Sequence, residues 1–157
     1  MEKDKKIVVK IVPHKYNDDR AVKNLVHYIL TDKRTKDKLH YTGGKGVDYL
    51  NWENAAEQFE IIQEFYKKKS RRRIYHIVIS FPGDEDDLYR ICMFGQRVIE
   101  SFFEGHQCVF AVHEDTENFH IHIGWNAVNY RDGRKWHMSR TEAKEMMDGI
   151  KAMWENM

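Results

Sequence analysis

Between residues 113 and 126 the chain reads His113-Glu-Asp-Thr-Glu-Asn-Phe-His120-Ile-His122-Ile-Gly-Trp-Asn126, and no other stretch limits the fold as much. Alternate side chains of an extended strand point the same way, so His120 and His122 share a face with Gly124 and Asn126, while Phe119, Ile121, Ile123 and Trp125 share the other. One face is greasy and the other carries imidazoles. A hairpin that turns within Asp115 to Asn118 puts His113, at the end of the preceding strand, beside the pair. A single strand histidine is ordinarily a packing residue. Three neutral imidazoles brought together are half a coordination shell for a divalent cation, with the remaining positions left to water or a substrate oxygen. Gly124 leaves space beside them for something bulky to approach.

The rest of the chain supplies a core for that greasy face. Lys6 to Pro13 and Arg73 to Phe81 read as strands, each stopped by proline. Val22, Leu25, Val26 and Ile29 recur at helical spacing after a cap at Asp18 or Asp19, through about Asp32. Tyr41-Thr-Gly-Gly-Lys-Gly46 reads as a flexible loop. Asn51 to Lys69 is a predicted helix that turns Ala55, Phe59, Ile62 and Phe65 toward the core. Glu85 to Glu104 is the most amphipathic segment, ended by Gly105. Ser139 with Glu142 has capping-box spacing for a last helix. The order β, α, α, β, α, β, β, α predicts an α+β fold. It is a two-layer sandwich with a mainly antiparallel central sheet, helices packed on one face and the histidine-lined site on the other.

At 157 residues the expectation is one domain spanning 1–157. No segment reads as a signal peptide or a membrane span, which points to a cytoplasmic protein with no membrane partner. Cys92 and Cys108 lie in apolar surroundings outside any CxxC pattern and read as free thiols. Net charge is only +1, but Lys67 to Arg73 packs six cations into seven residues, and Lys33, Arg34, Lys36 and Lys38 form a second cluster. A charge run is usually a solvated helix end. Two of them beside a candidate phosphate-handling site point instead to a polyanion.

A metal on a sheet face needs a reacting partner, and Tyr28 lies at the flank of the first helix's apolar stripe, three residues from Leu25. Spacing alone does not separate it from Tyr16, Tyr41 or Tyr49. Here the chain resembles a known family, the mobilisation relaxases (Mob/Vir type) of the HUH endonuclease superfamily. The resemblance rests on His113-x-Asp115 followed after four residues by His120-Ile-His122 and Asn126. It rests also on Tyr28-Ile29 in the first helix, and on Tyr75-His-Ile-Val-Ile-Ser80-Phe followed by Pro-Gly. These fall in the family's order and cover about residues 6 to 135. Asn118 stands where a related branch often has another histidine. Family members usually continue well past the nuclease domain, whereas this chain stops at Met157.

The resemblance implies a single-strand DNA endonuclease and transesterase that nicks and rejoins one strand at a transfer origin, with accessory DNA-processing proteins as further partners. His113, His120 and His122 would hold a divalent metal, Mg or Mn, with Zn as a further option. Tyr28 would be the nucleophile and form a phosphotyrosyl link, with His27 as the alternative attacker. Asp115 would hold an imidazole or accept the tyrosine proton. Ser80 and Asn126 face the site by parity. Lys45 in its glycine loop, with Lys68, Arg71 and Arg72, would track the DNA backbone, and Trp136 and His137 would stack on bases. Two other classes stay open. One is a three-histidine hydrolase of a non-DNA substrate, and the other a non-catalytic single-stranded nucleic-acid binding module.

Overall fold

A computed structural model describes residues 6–114 and 117–157. The chain order is β1 (Val8–Ile11), α1 (Ala21–Leu30), β2 (Thr42–Lys45), α2 (Trp52–Phe65), β3 (Ile74–Ser80), α3 (Leu88–Phe102), β4 (Cys108–His113), β5 (His120–Asn126) and α4 (Arg140–Glu155). The strands form one sheet in the order β1-β3-β5-β4-β2, and every pairing is antiparallel. The α+β class, the antiparallel sheet and the expected hairpin are all present. The hairpin's second strand, β5, sits at the sheet's centre. Its register places His120 between Ser80 on β3 and His113 on β4.

Parity then divides the core. Ile77, Ile79, Phe110, Val112, Ile121, Ile123 and Trp125 point to one side, where Phe94, Val98 and Ile99 of α3 and Ile150 and Trp154 of α4 cover them. The number of layers differs from expectation, because α1 and α2 pack on the second face. Val22, Leu25, Val26 and Ile29 of α1 and Ala55 and Phe59 of α2 bury Ile74, Val109 and Ala111 there. A stripe as apolar as that of α1 has to be covered, and the small residues on this face let the helix approach. Gly124 is one of them: a Cβ there would lie 2.8 Å from Ile29 Cδ1. The bulk that Gly124 admits is therefore α1.

Three further details depart from the sequence reading. The segment read as a loop at Tyr41 to Gly46 contains β2, an edge strand on β4. Its glycines answer to packing, since a Cβ on Gly43 would fall 2.2 Å from the Phe110 ring. In α2 the buried stripe drifts, so that Gln63 is inside and Phe65 is 74% exposed. Helix α1 begins after Arg20 without a side-chain cap. Asp18 instead accepts from the Arg20 N–H at 2.9 Å, an Asx turn that leads into the helix. The caps expected at Asn51 and Ser139 are formed, the latter as a full capping box. Both cysteines are free, and burial pushes the Cys108 thiol up to about 12.

Candidate active site

The close packing of α1 on β5 delivers Tyr28 onto the imidazoles. Its ring centroid lies 5.5 Å from that of His113, 5.2 Å from His122 and 6.2 Å from His76. Tyr28 is 36% exposed, so its ring is a half-open lid over side chains that are themselves buried. His113 and His122 are 4.3 Å apart between centroids, and His120 is 6.4 Å from His122. Lys33, just beyond α1, holds its ammonium 5.8 Å from the Tyr28 ring.

Two of these rings are held by their far nitrogens. His113 Nε2 lies 2.9 Å from the carbonyl of Ile29, and a carbonyl only accepts. In the neutral ring the proton is therefore on Nε2 and the lone pair on Nδ1. His122 Nδ1 lies 2.9 Å from His76 Nε2, and His76 Nδ1 lies 2.9 Å from the Tyr16 hydroxyl. His76 was missed in the sequence, although it shares the parity of Ser80 on β3, because one histidine inside an apolar strand gives no pattern. Burial and then the neighbouring His113 push His76 down to about 4. Burial, followed by the surrounding imidazoles and Lys33, pushes His122 down to about 2. Both rings are thus neutral near pH 7, as metal ligands or proton acceptors must be.

These distances put a hydroxyl-bearing ring over a histidine cluster in the arrangement that the motif implied, and a model of the MobA/VirD2-like relaxase nuclease domain matches residues 28–156. The chain belongs to that family. It is similar to protein TraI of Escherichia coli, 26% identical over 78% of this chain and 17% of that protein. It is similar also to protein rlx of Staphylococcus aureus, 22% identical over 80% of this chain and 36% of that protein. The chain thus spans well under half the length of the curated relatives it matches. A solved structure described as "Molecular Basis of Vancomycin Resistance Transfer in Staphylococcus aureus" shares this fold at a TM-score of 0.65 and 12% identity, over 96% of this chain and 90% of that one.

Of the residues singled out in this relaxase sequence, Tyr28, His113, His120 and His122 come together, with Ser80 directly across from His120. Asp115 lies outside the described residues. His27 turns from the cluster and packs its ring 4.4 Å from that of Trp52. Asn126 shares the site's face but is fully buried at its far end, bonded to Phe59, Gln63 and Gln107; α2 seals it from any substrate. Lys45 is on β2, its ammonium tied to the Phe103 carbonyl at 2.6 Å, so it completes the end of α3. Trp136 packs part-buried on the opposite face among Phe103, Trp125 and His106, away from the imidazole cluster. His137 is exposed beside it near the start of α4.

The basic run divides as well. Lys68 and Arg71 are exposed where the chain leaves α2. Arg72 holds its guanidinium 4.6 Å over the Tyr75 ring and acts electrostatically on Tyr16, the residue that bonds His76. Lys135 donates to the Ser70 and Arg72 carbonyls at 2.7 and 2.6 Å, and burial together with Lys68, Arg73 and Arg71 lowers its pKa. This is a crowded cationic surface that leads to the Tyr16 side of the imidazole cluster.

Whether the cluster suits a divalent cation is a matter of donor chemistry. Neutral imidazoles oriented through their second nitrogens by protein groups are what such an ion requires. As the side chains stand, no three His, Cys, Asp or Glu among the described residues are arranged to hold one. The residues fit such an ion in donor type. No helix among the described residues is long and apolar enough to cross a membrane.

Proposed function

We propose that this relaxase domain, as one unit over residues 1–157, nicks and rejoins one DNA strand at a transfer origin in the cytoplasm, with Tyr28 as nucleophile. The observation that carries this reading is the Tyr28 ring lying within 5.2 to 6.2 Å of three buried imidazoles. In the step proposed, the Tyr28 oxygen forms a bond to phosphorus and the bond from phosphorus to the 3′ oxygen breaks. The phenolic proton passes to a base, Asp115 in this reading, and the departing oxygen takes up a proton as a 3′ hydroxyl. The phosphotyrosyl ester keeps the energy of the broken phosphodiester, so the same residues run the step backwards to rejoin the strand. His113, His120 and His122 would hold Mg or Mn, or Zn, and such an ion, when bound, supplies positive charge to the nonbridging phosphate oxygens. Arg72, with Lys68 and Arg71 outside it, would bind the backbone of the incoming single strand. Accessory proteins that open the duplex complete the proposed set of partners.

The test is to incubate the protein with a single-stranded origin oligonucleotide and Mn²⁺, and to look for an adduct that survives denaturant. Tyr28→Phe removes one oxygen and almost no packing. We expect it to lower adduct formation by on the order of 10³-fold or more, with DNA and metal binding retained. Peptide mapping of the wild-type adduct should find the DNA on Tyr28. DNA found on His27 would transfer the nucleophile's role to that residue. No adduct at all, with turnover of a small substrate or with DNA binding alone, would favour the hydrolase or the non-catalytic module.

A further inference from the structure

Two groups that lie outside the proposed ligand and nucleophile set, Tyr16 and His76, form a chain that ends on the proposed ligand His122. The Tyr16 hydroxyl meets His76 Nδ1 and His76 Nε2 meets His122 Nδ1, each at 2.9 Å. His76 is 5% exposed and His122 9%, so solvent does not replace these partners. Tyr16 is fixed at some cost, since its φ of 45° is in the left-handed region that non-glycine residues rarely occupy. Its carbonyl is anchored by the Arg73 N–H at 2.9 Å. A strained residue held on a buried histidine implies that the contact matters to something beyond packing.

Heavy-atom positions allow the chain only two proton orders with each ring neutral. In one, Tyr16 donates to His76 Nδ1 and His76 Nε2–H donates to His122 Nδ1, so the proton of His122 is on Nε2. In the other, His122 Nδ1–H donates to His76 Nε2 and His76 Nδ1–H donates to the Tyr16 oxygen, whose own hydrogen turns away. Only the second leaves the lone pair of His122 on Nε2, the nitrogen not committed to His76. Burial, the surrounding imidazoles and Lys33 keep His122 neutral, so the choice between the two orders is a choice of tautomer. A divalent ion at the free side of His122 would select the second order, because it binds a ring lone pair and not an N–H.

We propose that Tyr16 and His76 are positioning residues that set His122 as its Nδ1–H tautomer, so that ion binding at the histidine cluster moves the chain's protons one place toward Tyr16. This rests on the metal reading given above. It goes beyond that reading in giving two residues, 60 positions apart in sequence, one task with a direction. It also explains why a fourth histidine is buried here: a carboxylate would add a charge, whereas an imidazole passes the same polarity on to Tyr16 while staying neutral.

The experiment uses the whole chain labelled with ¹⁵N at histidine, Zn²⁺ as a diamagnetic probe, and two readouts. Long-range ¹H–¹⁵N spectra report the tautomers, and calorimetry reports Zn²⁺ affinity. With Zn²⁺ bound, His122 and His76 should both carry their proton on Nδ1. His76→Leu removes the acceptor and should weaken Zn²⁺ about 10- to 100-fold. His76→Gln keeps an amide oxygen near the place of Nε2 and should recover most of that loss. Tyr16→Phe, which leaves His76 without its acceptor, should cost severalfold. If His76→Leu does not fold, the Gln and Phe variants carry the comparison. Zn²⁺ bound with the proton of His122 on Nε2, or Leu and Gln variants of equal affinity, overturns the relay and leaves the metal site standing. A wild-type protein that binds no Zn²⁺ overturns the metal reading itself, and the relay with it.

Discussion

Two polar clusters occupy the same face of the same central strand, and they have opposite fates. At one end of β5, Asn126 is fully buried: its Nδ2 donates to the Phe59 carbonyl and to Gln107 Oε1, and its Oδ1 accepts from Gln63 Nε2 and the Val128 N–H. At the other end, His122 bonds to His76 and meets the half-exposed Tyr28 ring, with the His120 ring 6.4 Å from that of His122. Strand parity is the same for both. What differs is the helix above, since α2 lies across Asn126 whereas α1 ends at Leu30 and leaves its outer flank open. A closed polar cluster specifies packing, because any lost partner strands a buried group. An open one stands where something that arrives from outside can reach it.

Single substitutions should separate the two ends. We expect His122→Ala or His120→Ala to abolish strand cleavage and to weaken Mn²⁺ by roughly 100-fold or more, each imidazole supplying one bond to the ion. Stability should change little in His120→Ala, whose ring is only part-buried, whereas His122→Ala also strands His76 Nε2 and should cost about 1–3 kcal/mol. Asn126→Ala should do the reverse and lower unfolding free energy by about 2–4 kcal/mol, since Gln63, Gln107 and the Phe59 carbonyl lose a buried partner. Mn²⁺ affinity of the folded fraction should stay within severalfold. Calorimetry and urea titration on both variants check the pair. If Asn126→Ala loses metal with its stability intact, the sealed cluster belongs to the site after all.

The contrast also shows what a sequence exposes. The β4–β5 hairpin, the histidine face and the amphipathic α3 follow from periods of 2 and 3.6, which need no partner to be read. Tyr28 was legible as a flank residue, but its place over the imidazoles depends on how near α1 comes, which Gly124 and Ile29 decide together. Asn126 was placed on the right face and given the wrong neighbour, because parity says which side a residue takes and not what covers it. His76 left no trace because its signal is a hydrogen bond to a residue 46 positions away. Strand β2 stayed hidden because Thr42-Gly-Gly-Lys45 shows no alternation; its glycines fit Phe110 and Tyr49, contacts from elsewhere in the chain.

Acid should attack one end of the face before the other. The pKa values of His76 and His122 are lowered on folding, to about 4 and about 2 from 6.5. The unfolded chain therefore binds more protons below pH 6.5. Their contribution is complete above that pH and is lost progressively as pH falls from 6.5, down to about 4 for His76 and about 2 for His122, by on the order of a few kcal/mol. Urea titrations in EDTA at pH 7.5 and 5 should show this loss, and His76→Gln should reduce it. An equal loss in that variant would place the acid-sensitive group elsewhere.

The smallest effect concerns the cationic surface, whose members are unequal if the open end is where DNA arrives. Arg72 lies near Tyr16 and the imidazoles, while Lys68 is exposed at the end of α2, where a cation also favours the helix dipole. Each phosphate contact removed should flatten the dependence of log K on log salt for single-stranded DNA by about 0.7, whatever the sequence. We expect Arg72→Gln to give that change and also to lower adduct formation, because in the proposed reading the contact it removes adjoins the scissile phosphate. Lys68→Gln should give the slope change alone, through weaker binding that higher protein concentration overcomes. Fluorescence anisotropy at several salt concentrations, with the adduct assay at saturating DNA, distinguishes them. An unchanged slope in both variants would return the run to a solvated helix end, and equal losses of adduct would mean that nearness to Tyr16 does not rank these cations.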